Sequence, residues 1–454
     1  MHDLSSFPAG SRRVAPSLGS ATAKREDQGR EPPSARPGGG NALIATTAAV
    51  IGMGTAWSLY PRGGLTLGHA VLAIISPVVL AAAWRWRTGR ACLVFVALWL
   101  GAAGVTEVVT EDSMRDAAYA LSRPLTVGLS FCGALWIFEH GWTAIRVYVV
   151  SLVTGLFAAV AFTPWSANTA VDPWKYGYGA LVSVAVVLLS AALFGRGRSV
   201  AAVLLIAATC VVNLVLGFRS EFLVVSVTAA MGLLAARHTE RKSWKRVVMV
   251  CASLCGIVSA VYVGYGHLAA NGHLDAEQEM KWARQSGVHG GLLVGGRPEI
   301  AASVVIIQDS PLMGRGIASE VDSDLRAAFL DRLRTVGVSP HEGHVSYYFG
   351  RGLYVHSVLF QLWAETGILV LPGLLTPLFL VLSALVVAIR NGAGPPVLVF
   401  SLLSARLGWD LVFSPWPRLH GILLGTAAAA AVVYLSRHRR AMQNRTVEAP
   451  GGTP

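Results

Sequence analysis

Charge is what this sequence has least of. Only 14% of its 454 residues are Asp, Glu, Lys or Arg, while 54% are hydrophobic. A soluble domain carries about a quarter charged residues, so an ordinary water-soluble globule is excluded. Cysteine is scarce too, and badly placed for bridging. All five (Cys92, Cys132, Cys210, Cys251 and Cys255) fall in apolar stretches, and the long polar segment has none, so no disulfide braces it. Cys251 and Cys255 share a helix face and read as small packing residues rather than ligands. The net charge of +12 comes without a soluble basic face carrying aromatic platforms, so no nucleic-acid partner is expected. Residues 1–40 have no apolar core of signal-peptide type, and no internal repeat is visible along the chain.

What the chain does have is long apolar runs. A helix needs about 20 mostly apolar residues to cross the hydrocarbon core. On that criterion spans are expected at roughly 41–60, 65–84, 91–109, 123–140, 143–163, 177–194, 199–217, 220–236, 246–266, 366–389, 396–413 and 419–435. The expected fold is an all-α polytopic membrane protein, with about 12 transmembrane helices and one large extracytoplasmic loop containing short helices. Basic residues gather in 1–40, in "WRWRTGR", "GRGR" and "RHTERKSWKR", and in "SRHRR" near the end. With twelve spans all of these fall on one face, the cytoplasmic one, so both termini are expected inside. The layout is then a disordered basic cytoplasmic tail (1–40), transmembrane helices 1–9 (41–266), the loop (267–365), helices 10–12 (366–435) and a second disordered tail (436–454).

Half of the twelve histidines sit in that loop: His267, His273, His289, His341, His344 and His356. Function concentrates in long structured loops carried on a rigid scaffold. "SEVDSDLRAAFLDRLRTVG" places Val321, Leu325, Ala328, Phe329, Leu333 and Val336 at helical spacing, with Ser319 as N-cap and Gly337 as stop. That helix is expected on the membrane surface or across the top of the bundle. "PEIAASVVIIQDSPLMGRG" is apolar but too short to span and is expected as a buried or partly inserted helix.

Two metal-like motifs fail on geometry. Asp322 and Asp324 in "VDSD" are two apart on a helix, so they point to different sides, and acids at a helix N-terminus need no cation to explain them. "HEGH" at 341–344 lacks the i, i+4 histidine pair of a zinc helix. No metal and no cofactor are expected.

Arginine is more informative. Arg219 in "LGFRSEF" lies between two hydrophobic runs, where a charge needs a partner; Glu221 is one candidate and a bound anion the other. Arg297 in "GGRPEI" follows two glycines that let a ligand approach the backbone. Both are planar, permanently charged forks suited to phosphate oxygens. In "YVHSVLFQLWAETG", Ser357 is a good N-cap, so a helix starts at Val358 with His356 just before it, beside free N–H groups. A neutral imidazole there can accept a proton at physiological pH. Gln361 and Glu365 share a face at i, i+4 and can bond each other or a sugar; otherwise Glu365 pairs with a loop arginine. Arg406 and Asp410 form a second i, i+4 pair in a late span, read as structural.

The series "FRSEF", then "GRPEI…SPLMGRG", then "HSVLFQLWAETG" resembles the O-antigen ligase and polymerase family over roughly residues 200–390. The resemblance implies a multi-spanning, metal-independent glycosyltransferase of GT-C type. Such enzymes move a glycan from a polyprenyl diphosphate carrier to an acceptor hydroxyl outside the cytoplasmic membrane. It implies His356 as the base and Arg219 and Arg297 as the groups that hold the diphosphate. Pro311, Gly314 and Gly316 match a P-x-x-G-x-G turn, and Gln361, Glu365 and Gly367 match the tail of the histidine motif. Ser357 stands where the family usually has Asn, Phe218 and Ser220 flank the first arginine, and no tryptophan follows the second. The implied partners are a polyprenyl-diphosphate-linked glycan, a glycan or lipid-glycan acceptor and membrane lipids. A transporter or flippase on a similar scaffold, and an assembly protein of this family without catalysis, are the alternatives.

Overall fold

The computed structural model describes residues 39–60, 64–162, 167–236, 244–273, 276–288, 291–317, 321–340, 342–349, 353–392, 394–416 and 419–447. The expectations for most of the basic tail, for the start of the "RHTERKSWKR" link, for Ser319 and for His289 and His341 lie outside the described residues. The chain divides into two compact units, residues 1–43 and 44–454; of the first, only 39–43, the opening of the first helix, are described.

The described chain is almost entirely helical. Helices α1 (Gly39–Gly54), α2 (Leu67–Ile74), α3 (Ser76–Trp84), α4 (Arg87–Val109), α5 (Met114–Glu139) and α6 (Trp142–Phe162) come first. A two-stranded antiparallel pair, Ser58–Tyr60 with Leu65–Thr66, joins α1 to α2. After the short α7 (Ala167–Val171) and a π turn at Trp174–Tyr178 come α8 (Gly179–Gly195), α9 (Ser199–Val215), α10 (Arg219–Ala236) and α11 (Trp244–Ala270). The loop folds into α12 (Ala276–Ser286), α13 (Gly291–Gly296), α14 (Pro298–Asp309), α15 (Ser323–Thr335), α16 (Glu342–Phe349) and α17 (Val358–Thr366). The chain closes with α18 (Leu371–Arg390), α19 (Gly394–Phe413) and α20 (His420–Val447).

Among the described residues seven helices, counting those joined to a flanking short turn, are long and apolar enough to cross a membrane. An eighth is possible if α2 and α3 make one span, and these two meet at a 76° bend. The bend follows from "ISP": Pro77 cannot donate to the preceding turn, so the helix restarts there. The stretches expected at 41–60 and 199–217 are helical but shorter, Asn41–Gly54 and Ser199–Val215. The last helix does not stop near 435. It runs on through "SRHRRAMQNR" to Val447, a stretch of good helix formers with basic side chains near the favourable C-terminal end.

Helix α5 is enclosed along most of its length by α20, α4 and α3, even with Pro124 inside it. One core joins α4, α5, α18 and α20 through Trp99, Phe131, Leu135, Leu374 and Leu424. A second joins α8, α9, α10 and α19 through Val187, Ile206, Val224 and Leu398. The loop has a third core of its own, in which Ile306 of α14, Phe329 and Leu333 of α15, Tyr348 of α16 and Val355 pack together. Fully burying a side chain of this size contributes about 1.5–3 kcal/mol. Helix α15 therefore lies on α14. Its N-cap is Asp322, whose side chain accepts from Leu325 N, and Gly337 at φ +91° stops the chain just past its end. Asp322 is thus occupied as a cap.

Candidate functional site

The P-x-x-G-x-G segment is a clamp between elements. Arg315 N donates to Ala364 O and Gly316 N to Glu365 O, both 2.9 Å, while Ile368 N donates to Pro311 O at 3.0 Å. From the other side, Thr106 Oγ1 of α4 donates to Met313 O at 2.7 Å, and Ile317 N donates to Glu107 Oε1 at 3.3 Å. The glycines are forced by this fit. Gly314 and Gly367 both have positive φ, and a Cβ on Gly367 would lie 2.0 Å from Leu312 O. Pro311, Gly314, Gly316 and Gly367 thus lock α17 against the end of α4.

Gln361 and Glu365 are buried behind that clamp. Gln361 Nε2 donates to Glu365 Oε1 at 2.9 Å, the i, i+4 bond expected from their spacing. The other Glu365 oxygen pairs with Arg123 of α5, not with a loop arginine. Arg123 and Glu365 are 1% and 2% exposed. The guanidinium also lies over the Tyr119 ring at 4.4 Å and near Trp416 at 5.9 Å. Both side chains that the motif assigns to substrate are thus turned into the protein, where they tie α17 to α5.

His356 faces the other way and is 25% exposed. Ser357 caps α17 through Phe360 N, as its sequence position required. Nδ1 of His356 lies 3.0 Å from Glu299 Oε1, and Nε2 lies 2.9 Å from the Tyr347 hydroxyl. Tyr347 stacks on the imidazole at 5.7 Å and 16°, and Tyr354 meets it edge-on at 5.3 Å. Burial pushes the Tyr347 phenol well above the usual tyrosine range, with nearby Tyr354 and Glu299 adding to it. The Tyr347 hydroxyl bonds Nε2 while Nδ1 faces the Glu299 carboxyl, so a proton held on Nδ1 leaves Nε2 as the accepting nitrogen. This is a carboxylate–imidazole pair with a hydroxyl on the far nitrogen, the arrangement of a general base oriented from behind.

Arg297 stands beside this group. It immediately precedes α14, two residues before Glu299, and its Nε donates to Phe413 O of α19 at 3.2 Å. Its charge is felt at two phenols. Tyr348 is pushed up to about 12 by burial and Glu299, with Arg297 acting against the rise, and Tyr354, raised mainly by burial, also feels the opposing guanidinium. Arg297, Glu299 and His356 are thus assembled in one polar site rimmed by Tyr347 and Tyr354. Arg219 lies at the start of α10, its guanidinium over the Tyr265 ring at 4.9 Å. Glu221, one of its two candidate partners, bonds Arg406 of α19 instead. Arg406 also takes Asp410 at 3.1 Å, the pair its spacing announced.

Nothing in the local sequence singles out Glu299, Tyr347, Tyr354 or Arg123. Glu299 sat in the quoted "GRPEI", but an acid in a first helical turn reads as a solvated residue favoured by the dipole. Only its burial beside His356 sets it apart. Among the described residues no group of three or more His, Cys, Asp or Glu is arranged to hold a metal ion. No protein-family model matches the chain, and no curated protein matches it.

Proposed function

We propose that this chain is a glycosyltransferase of the cytoplasmic membrane, a polysaccharide ligase or polymerase acting on the extracytoplasmic face. It moves a glycan from a polyprenyl diphosphate carrier to an acceptor hydroxyl, on a scaffold of about 12 spans with both termini cytoplasmic. The observation that carries this reading is the Glu299–His356–Tyr347 line beside Arg297. A base backed by a carboxylate next to a fixed guanidinium suits a reaction that takes a proton from an alcohol and releases a diphosphate.

In the proposed step the acceptor hydroxyl takes the place of the Tyr347 O–H at His356 Nε2 and gives up its proton there. Its oxygen bonds the anomeric carbon as the bond from that carbon to the phosphate oxygen breaks. The diphosphate leaves with the bonding electrons, and attack opposite it inverts the anomeric centre. Glu299 stabilises the imidazolium that forms. Arg297 and Arg219 stabilise the charge developing on the leaving group, the role for which permanently charged, preorganised donors are most effective.

Glu299→Gln keeps the shape and removes the charge. It is expected to lower kcat by at least about tenfold with little change in the donor KM, because the carboxylate acts on the imidazolium and not on the carrier. Transfer from a polyprenyl-diphosphate oligosaccharide by the purified protein measures this. Unchanged kcat in a folded Glu299→Gln protein contradicts the assignment. The second reading, a transporter or flippase, draws on the buried charges Arg123–Glu365 and Glu221–Arg406–Asp410. Solute or lipid flux in proteoliposomes without glycan transfer would select it.

A further inference from the structure

Helix α19 ends at Phe413 because "SPWP" follows it, and prolines cannot continue the hydrogen-bond ladder. Its last carbonyls have no donors from within the helix. Two of them are taken up by the candidate site. Leu411 O accepts from Ser357 Oγ at 2.9 Å, and Phe413 O accepts from Arg297 Nε at 3.2 Å. Ser357 is bonded to His356 in the chain, so the histidine and the arginine hang from one helix end.

The same helix, a turn or two back, holds the third group. Arg406 bonds Glu221, which shares the first turn of α10 with Arg219. Arg406 Nε also donates to Asp410 Oδ2 at 3.1 Å, and Ser414 Oγ donates to Asp410 Oδ1 at 2.9 Å. His420 Nδ1, at the start of α20, lies 3.7 Å from Asp410 Oδ2. Glu221, Asp410 and His420 are buried. Buried ionic clusters contribute little net stability, since apolar residues of similar volume usually replace them without loss. A cluster of this kind does fix geometry.

We propose that Asp410 and Arg406 are positioning residues, and that the C-terminal end of α19 sets Arg219, Arg297 and His356 at their working separation. Asp410 fixes the last turn through Ser414 and Arg406, and Arg406 passes that fixation to α10 through Glu221. The kinetic consequence rests on the transferase reading, and the structural one does not.

Asp410→Asn in the full-length, detergent-solubilised protein separates the two. Hydrogen exchange is expected to quicken at the amides of 297–300, 219–222 and 357–361, while the amides in the core of α5 stay protected. Transfer is expected to fall by about 10²-fold, the usual cost of a misplacement near 1 Å, chiefly in kcat. Asp410→Glu is expected to restore part of it, which a merely space-filling role would not do. Should Asp410→Asn fail to fold, Ser414→Ala removes one of the same bonds and is read in the same way. Unchanged exchange at those three segments in either folded variant overturns the proposal, as does unchanged transfer with altered exchange. Altered exchange in a protein whose wild type transfers no glycan supports the positioning and removes the transferase.

Discussion

On the proposed transferase reading, replacing His356 by alanine is expected to lower glycan transfer by about 10²–10⁴-fold, the contribution of a general base held within hydrogen-bond reach. The loss should fall on kcat. The imidazole is bonded to Glu299 and Tyr347, and the charge suited to a diphosphate sits on Arg297. His356→Ala should therefore bind the lipid-linked donor about as well as wild type, whereas Arg297→Ala should raise the donor KM as well as lower kcat. A sugar hydroxyl is a poor nucleophile, but a polyprenyl diphosphate is a good leaving group, so the base is the group whose removal costs most. Steady-state transfer to a fixed acceptor checks this, and a His356→Ala enzyme with wild-type kcat would be incompatible with it.

The second large effect concerns folding. Removing either partner of the Arg123–Glu365 pair leaves a charge with almost no access to water. Each of Arg123→Met and Glu365→Gln is expected to destabilise the protein by about 3–5 kcal/mol. The double substitution Arg123→Met with Glu365→Gln removes both charges at once and keeps an acceptor for Gln361. It is expected to recover most of that loss, since it leaves no buried charge unpaired. Unfolding in mixed detergent micelles, followed by helical content, gives the comparison. If the two single losses simply add in the double variant, the pair does not behave as a buried ion pair. The same experiment bears on function. A variant that folds poorly but, where folded, binds donor normally marks Glu365 as part of the frame, and one with raised donor KM returns it to the binding surface.

How much of this was legible in the sequence depends on how far each partner lies along the chain. Local features were readable. Ser357 caps α17, Gly337 follows the end of α15, Gln361 bonds Glu365 and Arg406 bonds Asp410, all within four residues of their partners. The long apolar runs likewise announced a helical membrane protein, and seven helices of sufficient length and apolarity bear out that coarse reading among the described residues. The break between α2 and α3 was missed because a hydropathy window averages over one serine and one proline.

Pairings across long stretches of chain were not readable. Glu365 finds Arg123 from 242 positions away, and Arg406 finds Glu221 from 185. A guanidinium satisfies any nearby carboxylate equally well on paper, so Glu221 stands only as one of two candidates for Arg219, beside a bound anion. Glu299 is the instructive case. It sits two residues from an arginine already singled out, yet nothing local distinguishes a buried carboxylate from a solvated one. Its meaning came from the fold of the loop, in which α14 and α17 pack about one small core and bring Glu299 to His356.

Arg219, Arg297 and His356 are proposed to serve one ligand from the extracytoplasmic side. The most direct measurement places single cysteines there (Arg219→Cys, Arg297→Cys and His356→Cys, each in a chain whose own five cysteines are replaced by alanine). A membrane-impermeant maleimide is then applied to vesicles of known sidedness, with and without a polyprenyl diphosphate. The account predicts that all three react from the extracytoplasmic face and that the polyprenyl diphosphate shields the three together. Reaction from the cytoplasmic face, or shielding of none of them, would contradict it.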